Sequence, residues 1–72
     1  MNNPEQFTLA SMTDELCRRT GNPQAEVFSF NIENGVLHLT ASLGRRRLVT
    51  AESADMREAL NLLIERAQQV ST

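Results

Sequence analysis

The chain has 72 residues and a mass of 8.1 kDa, with 7 basic and 9 acidic side chains and a formal net charge of −2. All seven basic residues are arginines, and Trp and Tyr are absent. We expect one small domain with no secretory signal peptide, no membrane span of about 20 apolar residues and no internal disulfide, since Cys17 is the only cysteine.

The first predicted element is a helix over residues 4–20, which ends at Gly21, a residue suited to the left-handed position after a helix. Its start allows two interpretations. The dipeptide Asn3-Pro4 would supply a cap and a first helical residue, or the helix would begin later, with Ser11 as its cap. The apolar face of this helix consists of Leu9, Met12 and Leu16.

A β-hairpin over residues 25–33 and 36–42 follows. Apolar and polar residues alternate on both sides of Asn34-Gly35, the preferred centre of a two-residue type I′ turn. That turn pairs Glu33 with Val36 and sets the register of both strands. The apolar face is then formed by Phe28, Phe30, Ile32, Leu37, Leu39 and Ala41, with Phe28 opposite Ala41. The other face carries Val27, Ser29, Asn31, His38, Thr40 and Ser42.

Residues 46–50 follow a second turn at Leu43-Gly44-Arg45 and would add a third strand, with Leu48 on the apolar side. A last helix over residues 54–70 carries a broad apolar stripe, and Leu62 lies outside it. The stripe consists of Met56, Leu60, Leu63, Ile64, Ala67 and Val70. The sequence thus predicts an α+β domain, helix–hairpin–third strand–helix, with both helices on one face of an antiparallel sheet.

The second sheet face would be open to water, and it would carry Val27 and Val49 among polar residues. The strand over residues 25–33 would lie at one edge of the sheet. A free edge invites pairing with an extended partner segment or with a second copy of the chain. A domain this small is also commonly stabilised by association, so we expect a partner protein or a homo-oligomer.

The sequence gives no catalytic arrangement. His38 is the only histidine and points to the polar sheet face opposite Asn31, where neither a pocket nor an orienting partner is expected. Cys17 lies near the end of the first helix, where the helix dipole does not favour a thiolate. These two residues are too few for a structural zinc site. We therefore expect no enzyme, no metal and no cofactor.

Arg45, Arg46 and Arg47 are the sharpest feature, because guanidinium groups at a hairpin tip can bind carboxylates or phosphates. A solvated turn is the alternative interpretation. The acidic net charge and the lack of a neighbouring aromatic residue favour an acidic protein surface over nucleic acid. His38 and Leu62 are further candidates for the same contact.

We therefore predict a small protein-binding module, a regulator, inhibitor or assembly factor of bacterial or phage origin. Nucleic-acid binding through the three arginines is the alternative function. The unpaired cysteine favours a reducing compartment, so we expect a cytoplasmic protein.

The stretch Gly44-Arg45-Arg46-Arg47-Leu48-Val49-Thr50-Ala51-Glu52-Ser53, running into the last helix, resembles the hairpin-to-helix segment of the small head-completion proteins of tailed phages. The first helix, ending Thr20-Gly21, is similar too, whereas the strand from Val27 to Ile32 has no counterpart in that family. The resemblance implies a structural protein that joins phage head and tail, which is a further alternative function.

Overall fold

A three-stranded antiparallel sheet and two helices form the fold of the computed structural model, which describes residues 7–71, with side chains to Val70. The elements are α1 (Leu9–Thr20), β1 (Glu26–Glu33), β2 (Val36–Gly44), β3 (Arg47–Ser53) and α2 (Met56–Ser71). The strand order is β1-β2-β3, so β2 is central and β1 and β3 are the edges. The predicted α+β architecture is confirmed, including the third strand.

A capping box starts α1 at Leu9. The Thr8 side chain accepts a hydrogen bond from the Ser11 backbone, and the Ser11 hydroxyl accepts one from the Thr8 backbone, both at 3.0 Å. The helix therefore begins between the two predicted starts, and its cap is Thr8 rather than Ser11. The dipeptide Asn3-Pro4 lies outside the described residues. Gly21 ends the helix in the left-handed conformation, as predicted.

A β-bulge at Phe28 changes which side chains β1 gives to the core. Next to the Asn34-Gly35 turn the register is the predicted one, but one extra residue enters β1 between Val27 and Ser29. Val27 consequently lies opposite Ala41 and is buried, and Phe28 is exposed. The predictions that Phe28 faces Ala41 and that Val27 lies on the open face are therefore wrong.

A second bulge, at Leu43 in β2, shifts the pairing with β3 by one residue. Ala41 lies opposite Val49, and Ser42 lies opposite Leu48. Val49 is 6% exposed and belongs to the core, whereas Leu48 is 60% exposed on the open face. The sequence predicted the reverse for both residues, and both predictions are wrong. A single extra residue turns every later side chain of a strand to the other face.

The core lies between one sheet face and the two helices. No polar or charged side chain is buried among residues 7–70. Small residues on both layers bring α2 close to β2 and β3, and larger side chains fill the space beside them. The buried apolar residues are Met12, Leu16, Ala25, Val27, Leu39, Ala41, Leu43, Val49, Ala51, Ala59, Leu60, Leu63, Ile64 and Ala67.

The helices leave the end of the β1–β2 hairpin uncovered. Phe30 and Ile32 are 39% and 62% exposed, although the sequence predicted both in the core. The cause is the short α1: Thr13 contacts Val27, and the single turn from Thr13 back to Leu9 rises only about 6 Å, the length of about two strand residues. The hairpin extends beyond the start of the helix.

The observed register of β3 predicts that two neighbouring residues contribute very differently to the free energy of unfolding. Val49→Ala should lower the free energy of unfolding by about 2 kcal/mol, because it removes buried methyl groups. Leu48→Ala should change it by less than about 0.5 kcal/mol, since that side chain is exposed. Urea denaturation of both variants measures the difference, and a larger loss for Leu48→Ala would contradict the register.

The outer edge of β1 is tied to α1 over its first half. The Thr13 hydroxyl accepts a hydrogen bond from the Val27 N–H at 2.9 Å and donates to the Val27 carbonyl at 3.5 Å. The Cys17 thiol donates to the Ala25 carbonyl at 3.1 Å. Side chains of a helix thus replace the neighbouring strand that this part of the edge lacks.

Replacing Thr13 tests this attachment. Thr13→Val keeps the size of the side chain but leaves the Val27 backbone without its partner, and should cost about 1–3 kcal/mol of unfolding free energy. Thr13→Ser keeps the hydroxyl and should retain most of that stability. Equal losses in the two variants, measured by urea denaturation, would show that the hydroxyl contributes nothing.

Candidate functional site

The turn between β2 and β3 holds two arginines in a strained backbone. Arg45 and Arg46 have positive φ angles of 55° and 64°, the signature of a type I′ turn. Asn34 and Gly35 fill the equivalent positions of the other hairpin, with φ angles of 54° and 77°. Asn and Gly tolerate this conformation, whereas for other residues it costs about 1–2 kcal/mol each.

Arg45, Arg46 and Arg47, which we call the arginine tip, differ in what their side chains contact. The Arg47 guanidinium donates to the Val70 carbonyl at 3.4 Å, in the last turn of α2, where carbonyl groups lack helical partners. The Arg45 and Arg46 side chains are exposed and make no hydrogen bond or ion pair with residues 7–70. Arg47 therefore anchors the turn, and the other two are free for a partner.

The base of the turn is fixed by the loop between α1 and β1. The Asn22 amide donates to the Leu43 carbonyl at 3.1 Å, beside the bulge. An added Cβ at Gly44 would lie 2.6 Å from the flexible end of the Gln24 side chain, and the φ of 88° at this position favours glycine. The Asn22 hydrogen bond thus connects the base of the turn to the loop.

The arginines outside the arginine tip already have partners within the described part of the chain. Arg66 donates to the Thr50 carbonyl at 2.7 Å, so it covers the outer edge of β3. The others form exposed ion pairs, which are Arg18 with Asp14, Arg19 with Glu15, and Arg57 with Glu15. Arg45 and Arg46 are accordingly the two arginines whose side chains make no hydrogen bond or ion pair with the described residues.

His38 lies on the open face, opposite Asn31 as predicted. Its ring is 3.6 Å from the Glu52 carboxylate and 4.0 Å from that of Glu33. Six residues of β2 separate it from Arg45, a distance of about 20 Å. The structure therefore gives His38 acidic neighbours and keeps it away from the arginine tip.

Acidic side chains gather at that same far end of the sheet. Glu33 and Glu52 lie near the β1–β2 turn, and Asp55 and Glu58 lie at the start of α2, which follows the end of β3. Because the strands are antiparallel, the β2–β3 turn is at the opposite end. The charged side chains at one end of the molecule are consequently mainly acidic, and those at the turn between β2 and β3 are basic.

Leu62 is half-buried on α2 and packs against the core, on the covered side of the sheet. It is not part of the surface that includes the arginine tip. Leu48 does belong to that surface, because it directly follows Arg47 and is exposed on the open face beside Ser42. The sequence missed Leu48 as a candidate because the bulge hides its orientation; Gly44 within a strand was the available signal for that bulge.

Comparison with protein-family models, curated proteins and solved structures found no match to this chain. The resemblance to head-completion proteins therefore stays a prediction. Neither helix of the described residues is both long enough and apolar enough to cross a membrane. Among the described residues, no three His, Cys, Asp or Glu side chains are grouped so that they could hold a metal ion.

Exchanging the two turns tests the strain at the arginine tip. Arg45→Asn with Arg46→Gly should raise the free energy of unfolding by about 2–4 kcal/mol, because both residues then tolerate the left-handed backbone. The reverse exchange, Asn34→Arg with Gly35→Arg, should lower it by about 2–4 kcal/mol, although there is space for a side chain at Gly35. Urea denaturation measures both, and no gain in the first variant would exclude strain at this turn.

Proposed function

We propose that the protein is a cytoplasmic, non-enzymatic protein-binding module whose arginine tip contacts an acidic surface of a partner protein. The strained turn carries this proposal, since the same chain builds an equivalent turn from Asn-Gly without strain. Strained backbone in a folded protein is commonly found at functional positions. Arginines kept where they cost stability are best explained by a contact that needs guanidinium groups.

The surroundings of the arginine tip fit a protein surface. Arg45 and Arg46 each offer a planar group that can bind a carboxylate through two hydrogen bonds. Leu48 adds an exposed apolar side chain next to them, opposite Ser42 of β2. Arginine beside apolar contact area is typical of protein interfaces.

Nucleic acid is the less favoured ligand for the same tip. Base stacking needs aromatic side chains, and the three phenylalanines lie at Phe7, beside α1, and at Phe28 and Phe30 in β1, not in β3 or its turn. The acidic end of the molecule and its net charge of −2 also oppose the approach of a polyanion. These features support the choice of an acidic protein partner.

The test compares affinity-tagged forms of the full chain in extracts of the native host treated with nuclease. Arg45→Asn/Arg46→Gly should reduce capture of a specific partner by about tenfold or more while the domain becomes more stable. The control, Arg18→Ala/Arg66→Ala, removes the same charge elsewhere and should retain capture. Quantitative mass spectrometry of the bound proteins measures both effects.

Two results would count against the proposal. One is equal capture of every partner by the wild type and the arginine-tip variant. The other is specific retention of a 20-nucleotide single strand or a 20-base-pair duplex in filter binding at about 50 mM salt, lost in the arginine-tip variant and falling steeply as salt rises. The second result would instead indicate the nucleic-acid alternative.

A further inference from the structure

The second half of β1 presents a free strand edge with apolar side chains. The attachment to α1 ends at Val27. Beyond it, Phe30 and Ile32 are exposed, and the edge has no neighbouring strand among the described residues. Four of the six exposed large apolar residues of the structure lie in this region, namely Leu9, Phe28, Phe30 and Ile32.

The backbone of this segment points its hydrogen-bonding groups outward at alternate residues. In a two-residue hairpin the flanking residues, Glu33 and Val36, form the closing hydrogen-bonded pair. Bonding to β2 then alternates along β1, so Asn31 also bonds inward. The N–H and C=O groups of Phe30 and Ile32 therefore face the open edge, where a further strand would bond them.

We infer that a second copy of the chain occupies this edge, with its β1 antiparallel to the first around a twofold axis at Asn31. In this register Phe30 of each copy lies opposite Ile32 of the other, so exposed apolar residues meet on one face. All four outward backbone groups of each copy gain partners. Glu33 lies opposite Ser29, so the acidic residues of the two strands do not face each other.

The two edges of the sheet differ in a way that favours pairing of β1 with itself. Arg66 occupies the outer carbonyl of Thr50 in β3, and Arg47 lies at the start of that strand. Such arginines oppose the docking of a strand there. The free half of β1 has no basic residue and no proline, and its acidic residue, Glu33, lies at the end of the strand.

A cleft beside the first half of β1 borders the free edge at Phe28 and offers additional contact area. It has a volume of about 630 Å³, lies between α1 and β1, and is lined in part by Leu9 and Phe28. The four apolar residues expose on the order of 380 Å² per copy, if about 200 Å² is taken for each fully exposed residue. Since stable interfaces bury about 800 Å² per partner, the dimer should be weak, with a Kd between about 10 µM and 1 mM.

Analytical ultracentrifugation of the full chain from about 1 µM to 2 mM tests the association. Wild type should change from monomer to dimer over this range, and Ile32→Lys should raise the Kd by about tenfold or more, because it places a charge in the apolar pair. Leu48→Lys is the matched control, since Leu48 is 60% exposed on the other edge strand and Ile32 is 62% exposed. It should leave the Kd within about threefold.

A cross-link tests the register. Asn31→Cys, in a Cys17→Ser background, would place two thiols across the twofold axis in a non-hydrogen-bonded pair, whose Cα atoms lie about 4.5 Å apart and so permit a disulfide. Thr50→Cys carries a thiol on the same face of the other edge strand as the control. Asn31→Cys should form a disulfide dimer under mild oxidation much faster than Thr50→Cys.

Monomeric wild type at every concentration would overturn the inference and leave a segment of another protein as the occupant of the edge. An Ile32→Lys variant that dimerises like wild type would overturn it too, as would equal cross-linking of the two cysteine variants. Circular dichroism and the urea midpoint verify that the variants are folded. The arginine tip lies at the other end of the sheet, so the outcome is independent of the proposed function.

Discussion

Two single-residue bulges, at Phe28 and Leu43, decide which side chains the sheet gives to its core. Without them, alternation would turn Val27 and Val49 to water and leave the helices facing Phe28 and Leu48. With them, small and medium side chains face α2, which is why the helix can lie close to the sheet. The Leu43 bulge also places Arg45 and Arg46 at the two central positions of the β2–β3 turn. The same irregularity therefore determines part of the core and the position of the candidate site.

The sequence predicted the order of elements and the first hairpin because those depend on local chemistry. Asn34-Gly35 determines its turn by itself, and Gly21 ends a helix wherever it follows one. The bulge at Phe28 has no comparable local signal, because nothing about Phe28 distinguishes an extra residue from a regular one. The sequence identified the arginines, but the backbone strain at Arg45 and Arg46 depends on the bulge. That these two, unlike Arg66, make no contact within the domain depends on residues distant in sequence.

The two halves of the outer edge of β1 differ, and the length of α1 is the reason. Thr13 and Cys17 bond to the backbone of β1 as far as the helix reaches. A helix one turn longer at its start would place side chains over Phe30 and Ile32. The capping box at Thr8 ends the helix before that point, so exposure of the hairpin end follows from a local signal in a different element.

Separation of the arginine tip from Glu33, Glu52, Asp55 and Glu58 gives the molecule a permanent electric dipole along its strands. With a net charge of only −2, the dipole rather than the net charge governs how the protein turns in the field of a charged surface. In the proposed function, the basic end would rotate toward the acidic partner before contact, once the two approach within the Debye length of about 10 Å at 0.1 M salt. The fold thus selects an orientation during encounter, without any change in the shape of the domain.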